Sequence, residues 1–196
     1  MTDDNPTEHF RPTNGRVFGI LALVAAAAVA LVAVIDREAD VPLWVVGFAV
    51  LFGALAWTAM LRPGVALAGD TLVLRNMFTE ATIPLAAIED VAVRQFLVVR
   101  AGDKRYESPA IGRSRRQIKR SDAGSGIQAS HQDTPYALFV EDRIRSRASD
   151  ARDRLGIKPR SPEQAALADQ AERRLAWPEI AMVSVAALAF VASILL

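Results

Sequence analysis

The chain contains no cysteine, which excludes disulfides, thiolate metal centres and cysteine nucleophiles. Histidine is almost as scarce: only His9 and His131 occur. One lies in an N-terminal tail and the other in a polar insert, so a paired-histidine metal site is not expected. A dominant charge is missing too. Lys and Arg number 23 against 22 Asp and Glu, for a net charge of +1, so the chain as a whole has no strong electrostatic destination. No cofactor is expected.

What is present is segregated. Hydrophobic residues make up 52% of the 196, mean hydropathy is +0.20, and 23% are charged. That combination implies apolar blocks set apart from charged ones. The first block, Val17 to Ile35, is nineteen residues without a charge, enough to span a hydrocarbon core of about 30 Å at about 1.5 Å per residue. A cleaved signal peptide is the rival reading. Its apolar core would be unusually long, and the tail before it is not strongly basic. The second block runs from Val41 to Leu61, with Trp44 and Trp57 towards its two ends, where indoles favour a membrane interface. The intervening Asp36 to Asp40 is too short for anything but an antiparallel hairpin. The third block, Ile180 to Leu196, follows Trp177-Pro178-Glu179, where Pro178 suits a first helical turn. Ala25 to Ala28, Gly47 and Gly53 are small enough to permit close helix approach, although alanine is frequent throughout.

Orientation follows from the basic residues. The Asp36–Asp40 loop holds one basic and three acidic residues, whereas Arg62 to Glu179 holds 20 basic and 16 acidic. Arg16 and Arg62 each flank a span. The positive-inside bias therefore places the long segment in the cytoplasm and the short loop outside. The localisation expected is the cell membrane.

Arg62 to Ile111 reads as a meander of short strands. Val65 and Leu67 alternate with small residues before the turn Gly69-Asp70. Leu72 and Leu74 resume the period of two, and Ile83, Ile88, Val91 and Val93 follow. Phe96 to Val99 leads to a second turn, Ala101 to Lys104, and a strand from Arg105 to Glu107. Short strands at this spacing predict a small antiparallel sheet or barrel. Val140, Ile144, Ala148, Ala151 and Leu155 then form one apolar helical stripe after Thr134-Pro135, closed by Gly156. Leu155 is expected to be buried at its end. Ser161 to Gln164 forms a capping box for an amphipathic helix carrying Leu167, Ala168, Ala171 and Leu175.

The expected organisation is a disordered tail (1–16), a two-helix hairpin (17–61), a β-rich domain (62–156) with a disordered basic insert (112–133), an amphipathic connecting helix (157–177) and a third span (178–196). The class is thus membrane α plus an all-β module.

Arg62-Pro63-Gly64-Val65-Ala66-Leu67-Ala68-Gly69-Asp70-Thr71-Leu72-Val73-Leu74-Arg75-Asn76 follows two N-terminal spans, with Ile83-Pro84 and Ile88 after it. With Pro109 to Arg113 and Phe139 to Ile144, it resembles the bacterial pleckstrin-homology-like (PH) domain proteins of actinobacteria, over roughly residues 61–155. The resemblance implies a seven-stranded, strongly bent sheet with one open end capped by a C-terminal helix, for which the Val140–Leu155 stripe is the candidate. Phosphoinositide binding belongs to eukaryotic relatives, and fold alone does not transfer it.

Chemistry-bearing motifs are few. Ser130, His131 and Asp133 are close in sequence but lack the rigid scaffold of a triad. Gly124-Ser125-Gly126 lacks the lysine and the strand-to-helix context of a phosphate loop. Glu89-Asp90 and Glu141-Asp142 point apart on their elements and are expected to be solvated. The one cluster above background is Arg113, Arg115, Arg116, Lys119 and Arg120, expected to contact anionic lipid or an acidic partner, or only to keep a loop extended. Nucleic acid ranks last, since no aromatic platform is interleaved.

The function expected is non-catalytic: a membrane-anchored PH-like module that docks or scaffolds a protein partner. A sensor of anionic lipid acting through the insert is the alternative. An envelope enzyme ranks below both, because the three apolar runs carry no ionisable residue.

Overall fold

The computed structural model describes residues 7–12, 15–35, 41–112 and 133–195. Three helices are long and apolar enough to cross a membrane: α1 (Arg16–Ile35), the stretch Leu43–Leu61, and a C-terminal helix Trp177–Leu195. The second comprises α2 (Leu43–Ala56) and a π-helical turn, Trp57–Leu61. Thr58 sits in that turn fully buried, its hydroxyl donating back to the Ala54 and Leu55 carbonyls.

Six strands arise where alternation predicts them. These are β2 (Gly64–Ala68), β3 (Thr71–Arg75), β4 (Thr79–Pro84), β5 (Ile88–Val93), β6 (Leu97–Ala101) and β7 (Lys104–Ser108). In β2 and β3 every second residue is buried, with Val65, Leu67, Leu72 and Leu74 inside. The β2–β3 and β6–β7 hairpins turn in two residues, Gly69-Asp70 and Gly102-Asp103. Gly102 adopts φ +55, the left-handed conformation such tight loops favour at the first position. Two antiparallel sheets result, ordered β1-β2-β3-β4-β8 and β5-β6-β7, where β1 is Glu8–Phe10 and β8 is Glu172–Leu175. The described residues thus form eight strands where the resemblance implies seven.

The two additional strands correct the expected organisation. The tail is not all disordered: β1 (Glu8–Phe10) pairs antiparallel with β2, and Phe10 enters the core at 6% exposure. A three-residue strand is too short to show a period, so its backbone pairing is invisible in the pattern. The connecting helix is likewise only seven residues, α4 (Pro162–Ala168), after which β8 (Glu172–Leu175) pairs with β4. All four β8 side chains are exposed. The strand is recruited through its backbone alone, which leaves no alternation to read.

Helix α3 (Asp133–Leu155) covers the core with Ala137, Val140, Ile144, Ala148 and Ala151, all nearly or fully buried. Leu155, expected inside, is 62% exposed. The stripe ends one turn earlier, at Ala151; the last turn is held instead by Arg152 on the Ile88 carbonyl and Arg154 on Asp70, which leaves Leu155 facing out. The last helix is α5 (Trp177–Leu195), with Pro178 in its first turn.

Candidate functional site

All three apolar helices meet the β-module at the same end. A Cβ added at Gly19, in the first turns of α1, would lie 2.9 Å from Met60 at the end of the π-turn, so α1 and α2 run antiparallel. Arg62, just past that turn, bonds Glu179 in the first turn of α5 (Nε–Oε1 2.5 Å), so α5 also starts there. Helix α2 packs closely on both α1 and α5 through small residues. A Cβ at Gly53 would meet Ala26 at 3.3 Å, and one at Gly47 would meet Ser193 Oγ at 2.5 Å and Phe190 Cα at 3.1 Å. Gly19 serves the same purpose, but its place on the α1 face was not legible without the register of the hairpin.

Arg62 is the hinge-pin of this junction. Its side chain is 11% exposed, and besides Glu179 it donates from Nη1 to the Asn76 carbonyl at the end of β3. Asn76 extends the chain of contacts: its amide Nδ2 donates to the Glu107 carbonyl of β7 at 2.8 Å, and its N–H donates to Thr79. Asn76 Oδ1 is buried with no hydrogen-bond partner among the described residues. Ala176, between β8 and α5, donates to the Phe78 carbonyl. The Arg62 guanidinium thus joins two helix ends to the end of β3, and the Asn76 side chain carries the connection on to β7.

A cavity of about 400 Å³ opens beside this clasp. Its wall includes Arg11 and His9 from the β1 segment, Arg16 at the start of α1, Arg62 and Leu61, and Arg75 of β3, and among the described residues no acidic side chain lines it. Arg62 is compensated by Glu179, and Arg75 lies 3.4 Å from Glu80. Arg11 and Arg16 have no carboxylate partner among the described residues. The Arg11 N–H donates to Tyr136 Oη at 2.6 Å, and Glu8 pairs with Arg143 at 3.1 Å. The start of α3 is thereby fastened to the segment that leads into α1. Burial raises the Tyr136 phenol above its ordinary value of 10.0, so it stays neutral and accepts this bond as a hydroxyl.

The edge of β5 is closed from the other side of α3. Glu141 accepts the Val93 N–H (2.9 Å), Arg145 donates to the Val91 carbonyl (2.9 Å), and Arg152 donates to the Ile88 carbonyl (2.7 Å). Gln164, 1% exposed, adds bonds from Nε2 to Ala86 and Ile88. Side chains stand in for a further strand and block pairing at this edge. Glu141 is therefore not the solvated carboxylate expected, since it also bonds Arg145. Glu89 and Asp90 are exposed, as expected, but side by side, because a bulge between Ile88 and Asp90 breaks the alternation.

Arg113, Arg115, Arg116, Lys119 and Arg120 lie outside the described residues, as do Gly124 to Gly126, Ser130 and His131. His9 is in β1. Among the described residues no three His, Asp or Glu side chains cluster as metal ligands. The module also exposes large apolar side chains: Leu138 (49%) and Phe139 (53%) on α3, and Phe96 (46%) before β6. Phe139 stacks with Tyr136 at 6.4 Å between ring centroids. No known family pattern, curated protein or solved structure matches this chain.

Proposed function

We propose that the three apolar helices anchor this chain in the cell membrane and hold a cytoplasmic, PH-like β-module there as a non-catalytic docking surface. The observation that carries this reading is the Arg62 clasp. A module joined to its anchor by Glu179, Asn76 and β8 presents its surfaces at one fixed attitude, which a scaffold needs and a tethered soluble domain does not have. The order of strands followed by a covering helix is compatible with a PH-like arrangement, although β2 to β7 number six where the resemblance implies seven, and β1 and β8 flank the first sheet at its two edges. The basic residues that follow Leu61 favour the cytoplasmic side. The exposed Leu138 and Phe139 supply an apolar contact for a partner.

A second reading has an observation of its own. Tyr136 is bonded to the segment entering α1, so α3, which follows the insert 113–132 in sequence, begins beside the helix ends. In that reading Arg113, Arg115, Arg116, Lys119 and Arg120 read anionic lipid.

A photo-crosslinking residue at Phe139 in native membranes separates the two. A reproducible protein adduct, lost in Leu138→Asp, supports docking. Adducts to lipid alone replace docking with membrane sensing. Cysteines at Ala39 and Ser125 test orientation: an impermeant thiol reagent added outside cells should label the first and spare the second, and the reverse pattern removes the cytoplasmic placement.

A further inference from the structure

We propose that the arginine-lined cavity at the junction binds the phosphate of an anionic phospholipid headgroup. This rests on the reading that the helices span a membrane. The convergence is specific: Arg11 and Arg16 from the stretch leading into α1, Arg62 after the π-turn and Arg75 at the end of β3 meet on one concave wall of about 400 Å³, with no acidic neighbour among the described lining residues. Two of the four are already neutralised, by Glu179 and Glu80. Arg11 and Arg16 supply the positive charge left over, and α1 opens at Arg16, so its positive end adds to the field there. Guanidinium groups match phosphate oxygens in paired hydrogen bonds.

Depth selects the lipid over a soluble phosphate. Arg16 and Arg62 flank the first and second apolar helices at the same end, which places the cavity at the level where hydrocarbon gives way to headgroups. Leu61 carries the apolar surface of α2 up to the cavity wall, so a phosphate held by Arg11 and Arg16 has its glycerol and acyl chains directed along the helices. The site is distinct from the basic insert, whose five cations lie in one contiguous stretch of sequence.

The test uses the full chain, purified in detergent, stripped of lipid and exchanged into mixed micelles of phosphatidylglycerol with phosphatidylcholine. Retained lipid is counted by mass spectrometry. The wild type is expected to keep phosphatidylglycerol in preference to phosphatidylcholine, with no displacement by millimolar inorganic phosphate. In the double variant Arg11→Gln/Arg16→Gln that preference should fall at least about tenfold, the size of one or two lost charge-assisted contacts. Both side chains are exposed, so an unchanged melting curve checks that the fold is intact, and Arg16→Lys should restore part of the preference.

Equal retention of the two lipids, or a double variant that behaves as the wild type, overturns the site. Displacement by inorganic phosphate overturns the lipid as its source. Loss of preference in a variant with all five insert cations changed to Gln, with the cavity intact, moves the binding to the insert and also overturns the site. Release of the chain from membranes by alkaline carbonate would sink the spanning reading itself, an outcome that lipid counting in micelles does not produce.

Discussion

Large apolar side chains lie inside one half of this protein and outside the other. In the β-module Leu72, Leu74, Ile83, Leu97 and Ile144 are all 0% exposed. In the helices Val34 is 74% exposed, Leu188 70% and Val185 66%, and the buried positions are Gly19, Ala49, Gly53, Ala56, Thr58 and Ala186. The residue types are the same and the packing is reversed. In water, each Leu or Ile withdrawn from solvent contributes about 1.5–3 kcal/mol, so size goes inward. Helices that face lipid gain nothing by hiding leucine, and close contact through small residues is what holds them together. The inversion across Arg62 is what two solvents acting on one chain would produce, and it supports the proposed membrane anchor.

The largest effect to expect tests the module side of this contrast. Ile144→Asp puts a charge into the centre of the core and should destabilise the module by about 3–5 kcal/mol. Leu155→Asp, eleven residues along the same stripe, should cost within about 0.5 kcal/mol, because the side chain is 62% exposed. Denaturant unfolding of the full chain in detergent, followed by hydrogen exchange in β5 and β6, measures both. Equal losses would mean that the end of α3 packs as firmly as its middle.

On the helix side, bulk at a contact should matter where bulk on the surface does not. Gly47→Leu would force a Cβ to within 2.5 Å of Ser193 Oγ and 3.1 Å of Phe190 Cα, an overpacking of about 1–3 kcal/mol. Cysteines replacing Phe48 and Phe190, whose rings are 5.9 Å apart, should then cross-link less. Leu188→Ala, on the outward face, should leave that yield unchanged. A comparable drop from Leu188→Ala would show that the outward face has protein against it rather than lipid.

The same contrast governs what was legible beforehand. Long uncharged runs and strict alternation are signals carried by side chains, so the three helices, β2 to β7 and most of the α3 stripe could be read. Elements held by backbone or by a single long side chain could not. Phe10 gives no period in a three-residue strand, and Glu172 to Leu175 is exposed throughout, so β1 and β8 were missed. Arg62 was read only as a charge flanking a span. Its bond to Glu179 joins residues 117 positions apart, a distance over which no local pattern operates. The arginine cavity escaped notice for that reason: its four cations are scattered in sequence, whereas the insert's five are contiguous.

If Arg62 joins the two regions into one body, removing its charge should loosen the seam and leave both interiors intact. Arg62→Gln strands Glu179 and the Asn76 carbonyl without their donor, a cost of about 1–3 kcal/mol for half-buried polar groups. Faster hydrogen exchange at residues 76–79, with β6 unchanged, is the expected readout. The double variant with Glu179→Gln should lose less than the two single losses added together. Strict additivity would mean that the contact does not couple helix and sheet.

The smallest difference between the regions should appear in acid. Val17 to Ile35 and Val41 to Leu61 contain no carboxylate, so the packing of α1 on α2 has nothing of its own to protonate. The module does, at the start of α4. There the Ser161 side chain accepts the Gln164 N–H, and the bond between Ser161 and the Glu163 carboxyl holds the latter below its ordinary value of 4.5. A carboxyl with a depressed folded value stabilises the folded state above its unfolded value, and that contribution disappears as pH falls through the folded value. Amide protection in α4, corrected for intrinsic exchange, should therefore be level above about pH 5 and decline below about pH 4. Glu163 is fully exposed, so the decline should be slight. Glu163→Gln should flatten it, and Ser161→Ala should flatten it while lowering α4 protection at every pH, by about 1 kcal/mol for a lost helix cap. Because Gln164 of this turn also holds Ala86 and Ile88, the loosening should reach the start of β5 and stop short of the helices. An acid response of equal size within α1 would mean that the two regions do not titrate apart.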